Sequence, residues 1–221
     1  MTFRGIIFDF DGVLIESEFA GNRHLAEYLT DIGHAHSPEE AMAHYMGLSG
    51  RDFIDTIEGR IGRALPDDFH AAREVENERV LAEGIGEVVG AIAFVRALPA
   101  DLPRAIASSS TTRWIRTHLR HIGLEDAFGD HVYSGKEHVA RGKPAPDLYL
   151  HAAAAIGVPI GDCVILEDSP VGATGAVASG AHVIGLCAGT HCPPDHAARL
   201  KAIGVHDVAG DFAEVARIVG V

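Results

Sequence analysis

Lysine occurs in this chain only at Lys136, Lys143 and Lys201, and basic residues as a class are outnumbered by acidic ones, 18 against 31, for a net charge of −13. That balance argues against a nucleic-acid-binding surface, because a phosphate backbone demands a basic patch. It does not argue against small phosphorylated ligands, which need only a few local positive groups. Cysteine is equally scarce: Cys163, Cys187 and Cys192 form an odd set without a CxxC pair, so neither a disulfide framework nor a zinc site is indicated. Cys187, His191 and Cys192 lie close in sequence, but a structural zinc site wants four well-spaced ligands. The fourteen histidines are scattered and read as surface or satisfied core residues. No early apolar stretch has the length of a membrane-spanning helix, and Asp9 and Asp11 interrupt the first one. A basic leader with a cleavage pattern is missing too, so the cytoplasm is the expected location.

What is present begins with Phe3-Arg4-Gly5-Ile6-Ile7-Phe8-Asp9-Phe10-Asp11-Gly12-Val13-Leu14, an apolar run that ends on two carboxylates and a glycine. Such a run fits a buried strand, and buried parallel strands deliver functional groups at their carboxyl ends. Two carboxylates one residue apart repel each other and need a cation or a shared proton. A divalent metal meets that need, and Mg²⁺ favours carboxylate oxygens together with water and phosphate.

Beyond residue 86, apolar runs alternate with helical patterns. Arg104–Ser108, His131–Ser134, Cys163–Glu167 and His182–Leu186 read as strands. Between and after them, Val88–Leu98, Thr112–Ile122, Asp147–Ile156, Val171–Ser179, Asp195–Ile203 and Phe212–Val219 read as helices. This alternation implies βαβ units and a parallel sheet with helices on both faces, an α/β architecture. Residues 16–85 differ, with helical patterns and no strand. Leu25, Tyr28, Leu29 and Ile32 recur at helical spacing, and Ser37-Pro38-Glu39-Glu40 is a helix start with serine cap, proline and a glutamate three residues on. The expected organisation is a core of residues 1–15 and 86–221 with a helical insertion, 16–85, placed as a lid over the strand ends.

The strand ends supply a coherent set of groups: Asp9 and Asp11; Ser108, Ser109 and Ser110; Glu167, Asp168 and Ser169. A lysine, Lys143, sits in the proline-pinned loop Gly142-Lys143-Pro144-Ala145-Pro146-Asp147. Acidic groups for a metal, hydroxyl and N–H donors, and one cation suit phosphoryl transfer, where catalysis is mostly positioning and charge neutralisation.

This set resembles the four motifs of the haloacid dehalogenase superfamily of phosphohydrolases. Asp9-Phe10-Asp11-Gly12-Val13-Leu14 is similar to the first, Ser108-Ser109-Ser110 to the second and Lys143 within its loop to the third. Leu166-Glu167-Asp168-Ser169-Pro170 followed by Gly172 is similar to the fourth. The resemblance covers essentially the whole chain, including a helical cap as in subfamily IA, the β-phosphoglucomutase and phosphoglycolate phosphatase branch. It implies a Rossmann-like core and a Mg²⁺-dependent phosphatase. In that scheme Asp9 is the nucleophile and Asp11 the general acid and base. Asp9, Asp11 (through its carbonyl) and Asp168 are the metal ligands. Ser108, the N–H of Ser109 and Lys143 are the phosphate binders, and Glu167 acts behind the metal ligands or through water. Gly12 lets the chain turn closely past the metal.

Within that superfamily, Asp11 argues against dehalogenation, whose enzymes lack it, and the absence of a cap lysine argues against phosphonate cleavage through a Schiff base. The mutases carry a histidine ten residues after the second aspartate. Gly21 stands there, with His24 the nearest histidine, so water is the expected acceptor. A β-phosphoglucomutase-type activity and a non-catalytic phosphate-binding module remain the alternatives. In the cap, Gly47-Leu48-Ser49-Gly50-Arg51-Asp52 resembles a specificity loop. Arg51 could meet a second anionic group, and Ser17, Glu18, Asn22 and Arg23 could face the cleft. These point to a small phosphorylated sugar or sugar acid as partner and, with a moving cap, to a monomer.

Overall fold

The computed structural model describes residues 3–45, 48 and 50–221. Its elements in chain order are β1 (Gly5–Phe8), α1 (Ser17–Asp31), α2 (Pro38–Tyr45), α3 (Gly50–Ile61), α4 (Phe69–Glu83), α5 (Ala91–Ala97), β2 (Arg104–Ser108), α6 (Thr112–His121), α7 (Glu125–Phe128) and β3 (Val132–Ser134). These are followed by α8 (Asp147–Ala155), β4 (Cys163–Glu167), α9 (Pro170–Ser179), β5 (His182–Leu186), α10 (His196–Ile203), β6 (Asp207–Ala209) and α11 (Phe212–Val219). The chain divides into two compact units, Met1–Glu16 with Gly86–Val221, and Ser17–Ile85.

The first unit is a six-stranded sheet in the order β3-β2-β1-β4-β5-β6, with every pairing parallel. Its central strands are buried along their whole length, which is why they read as continuous apolar runs rather than alternating ones. Successive residues serve opposite faces. Ile7 joins Ala105, Ala107, Ile165 and Val183 against Tyr149, Ala152, Ala176 and Leu200 of α8, α9 and α10. Phe8 instead meets Phe94 of α5 and Phe128 of α7 edge to face, and Phe94 in turn packs on Phe212 of α11. Helices thus cover both faces of a Rossmann-like sheet.

The second unit is helical. Leu25, Ala26 and Leu29 of α1 pack with Ala41, Tyr45, Ile57, Ile61 and Phe69 from the other three helices. The capping box at Ser37 forms: Glu40 N–H donates to Ser37 Oγ at 3.2 Å, and Ser37 N–H donates to Glu40 Oε2 at 2.9 Å. Two elements of the first unit, β6 and α7, were not anticipated by the sequence patterns.

Candidate active site

The chain runs outward from β1 to β2 and β3 on one side, and from β4 to β5 and β6 on the other. The β1–β4 pair is therefore the switch point of the sheet, where open α/β sheets place ligands. Asp9 directly follows β1, and its N–H donates to the Leu166 carbonyl of β4 at 2.9 Å. Glu167 closes β4, Asp168 follows it, and Ser108 closes β2. Strand register alone brings residues from three distant parts of the chain to one edge.

Asp9, Glu167 and Asp168 are buried, and each offers an oxygen that lies within 4.8 Å of the others. Lys143, only 4% exposed in its side chain, donates to Asp9 Oδ1 at 2.6 Å and to Glu167 Oε1 at 2.8 Å. The Tyr149 hydroxyl also donates to Glu167 Oε1, at 3.1 Å, and the Lys143 ammonium stands 5.1 Å from the centre of the Tyr149 ring. Glu167 Oε2 accepts from the N–H of Ser169 at 2.6 Å and from its hydroxyl at 3.0 Å. Both oxygens of Glu167 are thus committed within the protein, and the residue anchors the lysine and the start of α9. Ser169 is the cap of that helix, accepting from Gly172 N–H at 3.0 Å.

The electrostatics follow from burial. Desolvation pushes the Asp9 carboxyl well above the usual range; Lys143 opposes this, while Glu167, Asp168 and Asp11 add to it. For Lys143, burial works against the charge, but Asp9 and Glu167 outweigh it and hold the ammonium well above the ordinary lysine value. Burial, followed by Glu167, raises the Tyr149 phenol, which stays a neutral donor. One cation serves a cluster of carboxylates, and the nucleophile candidate pays in proton affinity.

Asp11 has a different environment. Its Oδ2 accepts from Ser110 Oγ at 2.7 Å and Ser108 Oγ at 3.1 Å, and its Oδ1 from Trp114 Nε1 at 3.0 Å. Ser108 Oγ accepts from Ser110 N–H at 2.9 Å. The cap of α6 is Thr111, whose hydroxyl accepts from Trp114 N–H, so the serine triplet is left to the site. Ser109 is exposed. Asp168 Oδ2 meets His191 Nε2 at 2.8 Å, and the Asp168 carbonyl meets His196 Nε2 at 2.5 Å. Gly12 has φ +79°, and a Cβ there would lie 2.2 Å from Asp168 Oδ2.

In the helical unit, Arg51 lies in α3 with its side chain 87% exposed and Nε donating to Asp55 Oδ1 at 3.1 Å. Ser17 and Glu18 open α1. Of the proposed specificity loop, Gly47 and Ser49 lie outside the described residues. Sequence patterns missed Trp114, Tyr149, His191 and His196 as site residues. Trp114 carried one usable signal, as the sole tryptophan, in the first turn of a helix that begins beside the serine triplet. The two histidines carried none, since their contacts reach back 23 and 28 residues to Asp168 through a loop and helix start after β5.

Residues 3–180 match the model of the family described as haloacid dehalogenase-like hydrolase. The chain belongs to this family. Hexitol phosphatase A of Escherichia coli K12 is 32% identical over 198 residues, spanning 87% of both chains. The 6-phosphogluconate phosphatase of the same organism is 28% identical over 191 residues, 86% of this chain and 85% of its own. The crystal structure of a haloacid dehalogenase family hydrolase from Deinococcus radiodurans R1, with bound phosphate and sodium, superposes with a TM-score of 0.87. It is 32% identical and covers 99% of this chain and 96% of that one. This haloacid dehalogenase-like hydrolase is thus a phosphatase-type enzyme that acts on small phosphorylated substrates through its aspartate cluster, and that cluster can coordinate a divalent metal. No helix among the described residues is long and apolar enough to cross a membrane.

Proposed function

We propose that this enzyme is a Mg²⁺-dependent phosphomonoesterase for a small phosphorylated polyol, sugar or sugar acid, working through a phosphoryl group carried on Asp9. The observation that carries this reading is the buried Lys143 ammonium shared between Asp9 and Glu167 with Asp168 beside them. A single cation leaves Asp9 inclined to hold a proton, which would quench a nucleophile. A second, hard cation fits the all-oxygen donor set. With Glu167 fully engaged, Asp9 and Asp168 are the carboxylates available to hold Mg²⁺, together with the Asp11 carbonyl, leaving positions for water and a phosphate oxygen. When bound, Mg²⁺ supplies positive charge between the nucleophile and the phosphoryl oxygens.

The protein's own groups account for the rest. A carboxylate oxygen of Asp9 attacks phosphorus as the bond to the leaving oxygen breaks, and Asp11 gives its proton to that oxygen. Water then attacks phosphorus, Asp11 takes the water's proton, and the bond to Asp9 breaks to release phosphate. Ser108, the Ser109 N–H and Lys143 are assigned to the phosphoryl oxygens. The names of the two bacterial relatives favour six-carbon polyol or sugar-acid phosphates. Arg51, Ser17 and Glu18 of the helical unit are the candidates for reading the leaving group.

The test is phosphate release from a panel of hexitol phosphates, 6-phosphogluconate, sugar 1-phosphates and phosphoglycolate, with Mg²⁺ and with EDTA. Metal-dependent release that disappears in Asp9→Asn is expected. Conversion of β-glucose 1-phosphate into glucose 6-phosphate without net release would replace the phosphatase by a mutase, and inertness of a folded, metal-binding protein would leave a binding module.

A further inference from the structure

Trp114 sits in the first turn of α6, and its indole N–H donates to Asp11 Oδ1 at 3.0 Å. The other oxygen, Oδ2, faces two hydroxyls, Ser110 at 2.7 Å and Ser108 at 3.1 Å. These partners are chemically unequal. An indole nitrogen can only donate, whereas a serine hydroxyl donates or accepts by rotating. A proton placed on Oδ1 would compete with the indole hydrogen for that oxygen and weaken the one hydrogen bond the indole makes there. A proton placed on Oδ2 is accommodated by turning one hydroxyl. The indole is itself held: its ring packs edge to face on His118 one turn on, 4.4 Å between centroids at 69°. His118 is fully buried, and burial keeps it neutral, so the ring that the indole packs on does not compete with Lys143 or a metal for Asp11.

We propose that Trp114 is a positioning residue for the proton-carrying aspartate: by holding Asp11 Oδ1 as a permanent acceptor, it assigns the transferable proton to Oδ2, beside Ser108. This deepens the phosphatase reading and rests on it. Trp114 touches no reacting atom; it determines which oxygen of Asp11 performs the acid and base steps. The consequence depends on the leaving group. An alkoxide needs the proton as it departs, and a nitrophenolate does not.

The single tryptophan makes a clean test. Growth of a tryptophan auxotroph on β-(3-benzothienyl)alanine exchanges the indole N–H for sulfur at this position alone and keeps the ring shape; Trp114→Phe is the second variant. First-turnover rates with Mg²⁺ are measured by rapid quench on p-nitrophenyl phosphate and on the alkyl phosphate ranked first in the panel. General acids contribute about 10²–10⁴-fold, so loss of their positioning should cost about tenfold or more on the alkyl ester, with the aryl ester changing by less than about twofold. Independently of activity, the one indole ¹H–¹⁵N resonance should move in Asp11→Ala and stay in place in Asp9→Asn. Equal losses on both esters, no loss on either, or an indole resonance indifferent to Asp11→Ala would each overturn the assignment while leaving the phosphatase intact. A folded wild-type protein inert on both esters would overturn the phosphatase reading and this inference with it.

Discussion

His118 shows how burial decides the state of a single side chain. It is fully enclosed, neither ring nitrogen has a hydrogen-bond partner among the described residues, and burial pushes its pKa down to about 4, with Asp11 pulling upward and His121 adding to the fall. The unfolded chain holds this imidazole near 6.5, so between pH 6.5 and 4 the unfolded state binds more protons and stability falls as the pH drops. Denaturant unfolding of wild type and His118→Phe from pH 7.5 to 4 should show wild type losing stability relative to the variant inside that window, with parallel curves above it. Curves parallel throughout would mean that the ring titrates normally. The same scale separates what the sequence disclosed from what it concealed. Asp9, Asp11, Lys143 and Asp168 were legible because each ends an apolar run or sits in a proline-pinned loop. Trp114 and Tyr149 were hidden because an amphipathic helix disguises them as core residues. Their partners are 103 and 18 positions away and become neighbours only through the sheet order.

At the scale of elements, the α9 helix shows why small residues stand where they do. A Cβ on Gly172 would lie 1.5 Å from Glu167 Oε1, and one on Gly175 would lie 2.9 Å from the Ala145 carbonyl in the loop that carries Lys143. The helix start therefore sets the position of Glu167, and Glu167 sets the lysine. Gly172→Ala should displace Glu167, lowering kcat on the preferred ester by about tenfold or more and the melting temperature by several degrees. Wild-type values for both would show that the helix yields instead. Strands β2, β4 and β5 were legible to the residue because burial makes them apolar runs, closed by Ser108 in β2 and Glu167 in β4 and opened by His182 in β5. The β6 strand was not, since three residues at a sheet edge owe their conformation to pairing with β5 rather than to their own pattern. The four-residue α7 is likewise too short to show helical periodicity.

For the whole molecule, the site is a concentration of negative charge in a chain already at −13. Folding must gather Asp9, Glu167 and Asp168 beside one lysine that pairs with the first two, and a divalent cation held there would offset part of that repulsion. Any ligand that binds only the folded state stabilises it by mass action, about 2.7 kcal/mol at a hundredfold excess over its dissociation constant. In a chain of this length that amounts to a rise of about 5–10 °C in Tm. Calorimetry with Mg²⁺ against EDTA should show such a rise. Asp168→Asn should abolish the rise and increase the Tm measured in EDTA, because one repelling charge is gone. A Tm indifferent to Mg²⁺ would remove the metal from the account.

The chain leaves the sheet unit and returns to it at adjoining points. Glu16 N–H donates to the Gly86 carbonyl at 3.0 Å and Val88 N–H to the Leu14 carbonyl at 3.0 Å, a short antiparallel stem that closes the loop holding helices α1, α2, α3 and α4. A segment whose ends are clasped in this way is topologically a bead on a ring. It can be lengthened, shortened or exchanged for another with closely spaced termini without rethreading a strand. Every group assigned here to phosphoryl chemistry lies outside that ring. An exchange of that segment therefore leaves each of those groups at its own strand end or loop.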